Sequence, residues 1–295
     1  MEFTKENTRL SPALPSVALS VPGLALGAPV EQLRARYLAA RPFPHLVIDQ
    51  LFPAEWLHAI LEEYRTCDDL TWKSYDTALQ KKKGTAPDSD LPPVMRAYFD
   101  FLQSAPFLRL LSEVTGIANL LPDPSLYGGG LHVVSGGGHF DLHVDFQKHP
   151  TTGLCNRLVV ITYLNEGWEA AYGGNLELWS MKPSVRQVEI VPCFGRTVLM
   201  SQSAIAAHGH PSPIRAGMER KSVIAYFYTG GKSGGALARS SRSTTVYVRR
   251  PGRTLSARLQ VLLHDALPSP GVRALQKIRH VVRNRWKSAM ARQSQ

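Results

Sequence analysis

Cysteine is scarce in this chain: Cys67, Cys155 and Cys193 are the only three in 295 residues. They are odd in number and lack metal-type spacing, which excludes a disulfide framework and a cysteine-built zinc site. A reducing compartment is implied, with the cytoplasm as the expected location. No apolar run approaches the roughly 20 residues that a membrane-spanning helix needs. The N-terminus carries Glu2, Lys5 and Glu6 ahead of a Pro-rich, weakly apolar segment, without the basic start and compact apolar run of a secretory signal. Charged residues are few at 19%, while 44% are hydrophobic, a balance that excludes a disordered chain and allows a real core. Acid is what the last quarter lacks. From Lys221 to Gln295 stand 15 Lys/Arg against one acid, Asp265, whereas residues 1–220 hold 19 bases and 22 acids. The formal charge of +11 therefore belongs to the tail, and a phosphate-attracting surface is expected there if anywhere.

Residues 1–40, rich in Pro, Ala and Leu with little periodicity, read as an extended arm. Residues 43–49 (Phe-Pro-His-Leu-Val-Ile-Asp) read as a first strand. Pro53 then suits the first turn of a helix in which Trp56, Ile60, Leu61 and Tyr64 recur at helical spacing. The stretch 79–90, with three consecutive lysines, is expected to be a mobile loop, and 93–114 a second helix. From Gly128 the texture changes to short β-rich runs separated by Gly, Pro and Asn: 131–134, 141–144, 158–164, 176–179, 185–190, 197–200, 222–228 and 244–248. About eight such runs indicate an antiparallel sandwich or barrel, and with helices on either side the fold class is α+β. The tail reads as two helices, 256–267 and 272–291. The second is basic and amphipathic, with Leu275, Ile278, Val282, Trp286 and Ala289 along one face. A solvated face packed on the core is the plain reading of that helix. Peripheral contact with an anionic membrane is the alternative, and no motif supports specific nucleic-acid binding.

His143 and Asp145 flank Val144 in a strand-like stretch, so period-2 geometry places both side chains on one face. An imidazole and a carboxylate so placed form two legs of a two-His-one-carboxylate site, which leaves positions open on an iron(II) ion. His-x-Asp alone arises easily by chance; the order of the residues C-terminal to it is more specific. His208 comes 63 residues after Asp145, in Ala-His-Gly-His-Pro, and Arg220 twelve residues later. His208 and His210 face the same way in an extended segment, so geometry leaves the third ligand open between them. Arg220, Ser222, Ile224 and Tyr226 share a strand face. A guanidinium there can grip a distal carboxylate with two parallel hydrogen bonds, and a nearby hydroxyl can add a third. His132, His139 and His149 read as surface or supporting residues; Trp168, Trp179, Tyr226 and Phe227 read as core.

Taken in order, the residues are His143/Asp145, Tyr163-Leu164-Asn165 with Trp168, Gly173-Gly174-Asn175-Leu176-Glu177-Leu178-Trp179, His208-Gly209-His210-Pro211 and Arg220-Lys221-Ser222. This series resembles the prolyl 4-hydroxylase-like branch of the 2-oxoglutarate/Fe(II)-dependent dioxygenase superfamily, over about two thirds of the chain. The resemblance implies a double-stranded β-helix (jelly roll) within a domain of residues 41–250, its β core at about 128–250, followed by the basic helical tail 251–295. It implies His143, Asp145 and His208 as iron ligands, favouring His208 over His210. It also implies Arg220 as the 2-oxoglutarate anchor, with Tyr163 and Ser222 beside it. Fe(II), 2-oxoglutarate and O2 are the cofactors and co-substrates expected, with ascorbate as a candidate reductant. Val133 stands where some relatives have a second tyrosine. The activity implied is hydroxylation of an unactivated C–H bond, first of a prolyl or other amino-acid residue in a peptide or protein. The alternatives are tailoring of a small metabolite, carrier-bound amino acid or saccharide, and a non-catalytic jelly-roll binding module.

Overall fold

A computed structural model describes residues 23–230, 244–248, 250, 253 and 255–266. Residues 1–22 of the N-terminal arm and the expected helix 272–291, with its membrane-contact reading, lie outside the described residues. Within the arm the structure corrects the reading of an extended segment: α1 spans Val30–Ala39. Only Leu33 and Tyr37 of this helix are buried, one turn apart, too sparse a pattern to read as periodicity. β1 (His45–Ile48) and α2 (Ala54–Thr66) form where expected. The stretch read as a mobile loop is instead the second arm of a hairpin, β2 (Trp72–Asp76) with β3 (Gln80–Thr85). Its three lysines suggested solvent, but two of their ammonium groups lie over rings, Lys83 above Trp72 and Lys82 above Phe140. The expected helix 93–114 is two, α3 (Pro93–Leu102) and α4 (Ala105–Thr115). Pro106 lacks the N–H a continuous helix needs, Ser104 caps the second helix by accepting from the Phe107 N–H, and Gly116 ends it in the left-handed region.

The β block continues as β4 (Leu121–Pro122), β5 (Gly130–Ser135), β6 (His139–Val144), β7 (Cys155–Tyr163), β8 (Leu176–Met181), β9 (Ser184–Ile190), β10 (Thr197–Ser201), β11 (Ala207–His210), β12 (Glu219–Thr229) and β13 (Val246–Tyr247), then α5 (Leu255–Ala266). Sequence reading missed β4 and β11, the latter because Ala-His-Gly-His carries no β-branched or alternating signal. The strands join in the order β1-β10-β7-β12-β5-β3-β6-β11-β8-β9, and every pairing is antiparallel. β3 pairs with both β5 and β6, so it joins the large sheet to the smaller one and curls the whole into a jelly roll.

β7 and β12 show what a run apolar on both faces means. Leu158, Val160, Val223, Ala225 and Phe227 point outward into the main core, packed on Tyr37, Ile60, Tyr98, Phe99 and Phe107 of the helices. Val159, Ile161 and Tyr163 point inward with Leu176, Leu178, Val198 and Met200. The helices thus back the large sheet and leave the inner face of the roll for a site.

Candidate active site

His143 on β6 pairs directly across the sheet with His208 on β11, so their side chains rise from the same face. Asp145, two residues beyond His143, joins them. His143 Nε2 lies 3.2 Å from Asp145 Oδ1, and His208 Nε2 lies 3.5 Å from Asp145 Oδ2. One candidate ligand atom from each residue falls within 4.8 Å of the others, and all three residues are buried. Both imidazoles are oriented the same way. Nδ1–H of His143 donates to the Asp141 carbonyl at 2.8 Å, and Nδ1–H of His208 donates to the Ala206 carbonyl at 2.9 Å. Each Nε2 lone pair is left facing the centre, the arrangement by which a second shell fixes metal-binding imidazoles.

The structure brings His208, the histidine that the resemblance favours, and not His210 into the cluster. The register between β11 and β6 slips between His208 and His210, so that His210 pairs with Phe140. This bulge takes His210 out of the ligand cluster. His210 stays buried near the site, with an Nδ1 that has no hydrogen-bond partner.

Tyr163, Ser222 and His132 form one row across β7, β12 and β5. Arg220 sits two residues before Ser222 on the same face, its guanidinium carbon 4.9 Å from the centre of the Tyr163 ring. Arg220 is 5% exposed, and its Nε donates to the Gly174 carbonyl at 2.8 Å. No carboxylate among the described residues pairs with it. A buried guanidinium without an anion is costly, and burial pushes its pKa down. The Tyr163 hydroxyl and Ser222 Oγ beside it are buried and unpartnered too. These orphaned donors fit a bound dicarboxylate, and the N2O set of His143, His208 and Asp145 fits iron(II).

Two contributors were not legible as functional. Gly174, read only as part of a strand-entry turn, lies against Arg220: a Cβ there would come within 2.9 Å of Arg220 Cδ, at a φ of +67° that disfavours other residues. Tyr226, read as core, donates its hydroxyl to Asp145 Oδ2 at 2.9 Å. Its place on the Arg220/Ser222 face was the available signal. Trp168 and Phe227 are buried in the core as expected, and Trp179 packs against it. His139 bonds to the Ala78 carbonyl, and His149 lies 3.4 Å from Asp123.

Burial pushes His143 down to about 4, with His208 adding to the effect, and pushes His132 down to about 3, aided by the Lys82 charge. Burial raises Asp145, but His208 and His143 outweigh it and hold the carboxyl well below its usual range. Both His143 and His132 are therefore neutral in the fold, while in the unfolded chain they protonate near pH 6.5. The unfolded chain binds more protons below that pH, so stability is full above about 6.5 and is lost as pH falls through 4. Urea titrations of the metal-free protein between pH 7 and 4 should show a decline of ~1.4 kcal/mol per pH unit for each such histidine. His132→Gln should remove one histidine's share; an unchanged slope in that variant would contradict the buried neutral state.

Residues 129–228 match the model of the 2OG-Fe(II) oxygenase superfamily. The fold is similar to that of the non-heme alpha-ketoglutarate-dependent epimerase SnoN from nogalamycin biosynthesis. The TM-score is 0.50 at 15% identity, over 77% of this chain and 92% of that one. A Pseudomonas putida prolyl-4-hydroxylase aligns with a TM-score of 0.47 at 17% identity, over 67% of this chain and 98% of that one. A prolyl hydroxylase from Trichoplax adhaerens, in complex with a hypoxia inducible factor peptide fragment, aligns at 0.46 and 18%, over 68% and 86%. No curated protein matches in sequence.

Proposed function

We propose, from the match of residues 129–228 to the model of the 2OG-Fe(II) oxygenase superfamily, that the protein is a dioxygenase hydroxylating an unactivated C–H bond. The observation that carries this reading is the pairing of the His143/Asp145/His208 cluster with Arg220, a buried cation awaiting an anion. Iron(II), when bound, supplies the oxidising step in which O2 is consumed, 2-oxoglutarate becomes succinate and carbon dioxide, and a substrate C–H becomes C–OH. His143, Asp145 and His208 hold the metal. Arg220 takes the distal carboxylate of 2-oxoglutarate through its free N–H groups, with Tyr163 and Ser222 as additional donors. Tyr226 steadies Asp145 through its hydroxyl.

A prolyl or other amino-acid residue in a peptide or protein is the leading substrate, supported by the order of motifs from His143 to Ser222. Tailoring of a small metabolite, carrier-bound amino acid or saccharide is the second reading, favoured by the small cavity beside Asp145, about 100 Å³. Ascorbate is the reductant expected to sustain turnover. No helix among the described residues is long and apolar enough to cross a membrane.

Anaerobic addition of iron(II) and 2-oxoglutarate tests the reading directly. The purified protein should develop the weak visible charge-transfer band of the chelate, and His143→Ala should lose it. No band in folded, metal-competent wild type would sink the dioxygenase reading and promote a non-catalytic binding module.

A further inference from the structure

The cavity opening beside Asp145 holds a cation that the reaction does not use. β3 alternates, so of the three consecutive lysines only Lys82 shares the inner face with Gly84. Gly84 stands opposite His132 in the sheet, and the ring fills the space a side chain would take: a Cβ on Gly84 would meet His132 Nε2 at 3.0 Å. The packed ring leaves Lys82 facing the cavity. Its ammonium lies 4.0 Å above the centre of the Phe140 ring, and Phe140 stacks on His143 at 3.7 Å between centroids. One aromatic ring thus separates the lysine from a candidate metal ligand.

Lys82 has little to neutralise it. Its nearest polar partner is His132 Nδ1 at 3.4 Å, on a ring whose Nε2–H is donated to the Gly129 carbonyl and which is neutral. No carboxylate among the described residues forms an ion pair with Lys82 or with Lys73 at the cavity rim. Asp145, facing the metal, is the one acid among the described residues lining this cavity. Burial pushes Lys82 down to about 8, opposed by the Asp145 charge and reinforced by the Arg220 and Lys73 charges. The walls are aromatic, with Tyr75, Tyr127, Phe146 and Tyr226. A half-buried ammonium among rings is stabilised by an oxyanion that reaches it while the rest of the ligand covers apolar surface.

We propose that the substrate carries a carboxylate or phosphate that pairs with Lys82, with Lys73 assisting at the rim, so that the charge sets which C–H faces the metal. This rests on the dioxygenase reading and adds the substrate's charge to it. Arg220 is a separate cation on β12, assigned to the co-substrate, so the two oxyanions have separate anchors.

The test is calorimetric titration of the full chain loaded anaerobically with iron(II) and 2-oxoglutarate. The probes are two matched pairs, N-acetyl-L-proline against N-acetyl-L-prolinamide and phenyl phosphate against phenol. At least one charged member should bind on the order of tenfold more tightly than its neutral partner. Lys82→Met should erase that preference and Lys82→Arg should retain most of it, while affinity for 2-oxoglutarate changes less than about twofold. Equal binding within both pairs, or a preference that survives Lys82→Met, overturns the proposal. So does a loss of 2-oxoglutarate affinity in Lys82→Met, which would assign the lysine to the co-substrate. Wild type lacking the charge-transfer band would overturn the dioxygenase reading instead, so the two failures are distinguishable.

Discussion

Alanine at His208 is expected to abolish iron(II) binding, whereas alanine at His210 leaves one iron per chain. The two imidazoles are two residues apart and equally buried, so neither sequence spacing nor exposure distinguishes them. The distinction comes from register. His208 stands opposite His143 and offers Nε2 to the centre, because its Nδ1–H is committed to the Ala206 carbonyl. His210, beyond the slip, has an Nδ1 committed to nothing. Loss of supporting hydrogen bonds alone costs ~10–100-fold in metal affinity, so removing a ligand should exceed that range in His208→Ala. Iron titration under anaerobic conditions, with stoichiometry read by metal analysis, decides the matter. Retention of tight iron by His208→Ala together with its loss in His210→Ala would falsify the assignment.

Arg220→Met is expected to do two opposite things. In the protein without 2-oxoglutarate it should raise the thermal midpoint, because a buried guanidinium with no carboxylate partner among the described residues is replaced by a side chain that needs none. With 2-oxoglutarate present the order should reverse. The wild type should gain ~2.7 kcal/mol at a hundredfold excess of ligand over Kd, while the variant, having lost its charge-assisted hydrogen bonds, gains almost nothing. Affinity for 2-oxoglutarate should fall by ~100-fold or more, and Arg220→Lys should recover only part of it, since an ammonium cannot make the two parallel bonds of a guanidinium. Thermal melts with and without 2-oxoglutarate check both halves. A variant destabilised in the absence of ligand and stabilised normally in its presence would show Arg220 to be a structural residue.

His208 and Arg220 differ in how far the sequence alone could place them. Arg220 was legible because a strand's period of two is rigid: once 222–228 reads as a strand, Arg220, Ser222 and Tyr226 share a face whatever surrounds them. His143 and Asp145 were legible for the same reason. Which histidine joins them was left open by strand geometry and favoured as His208 only by the resemblance, because the slip between β11 and β6 is a property of two strands, and β11 itself carries no β signal. Elements whose order depends on distant partners were missed similarly. α1 holds by two side chains docked on the main core, and in the β2–β3 hairpin Lys83 lies over Trp72 of the facing strand and Lys82 over Phe140 of β6.

By itself the sequence determined the α+β class, most of the strands and the basic composition of the tail, because alternation and charge are local properties of the chain, and its motif order implied the jelly roll and the candidate site residues through resemblance. Tertiary structure decided how His208, which the resemblance favoured over His210, comes to meet His143 and Asp145, that the Gly174 carbonyl accepts from Arg220, and that the middle of three lysines turns toward the cavity. The first and the last depend on register between strands far apart in sequence, where a slip of one residue reverses the face a side chain presents.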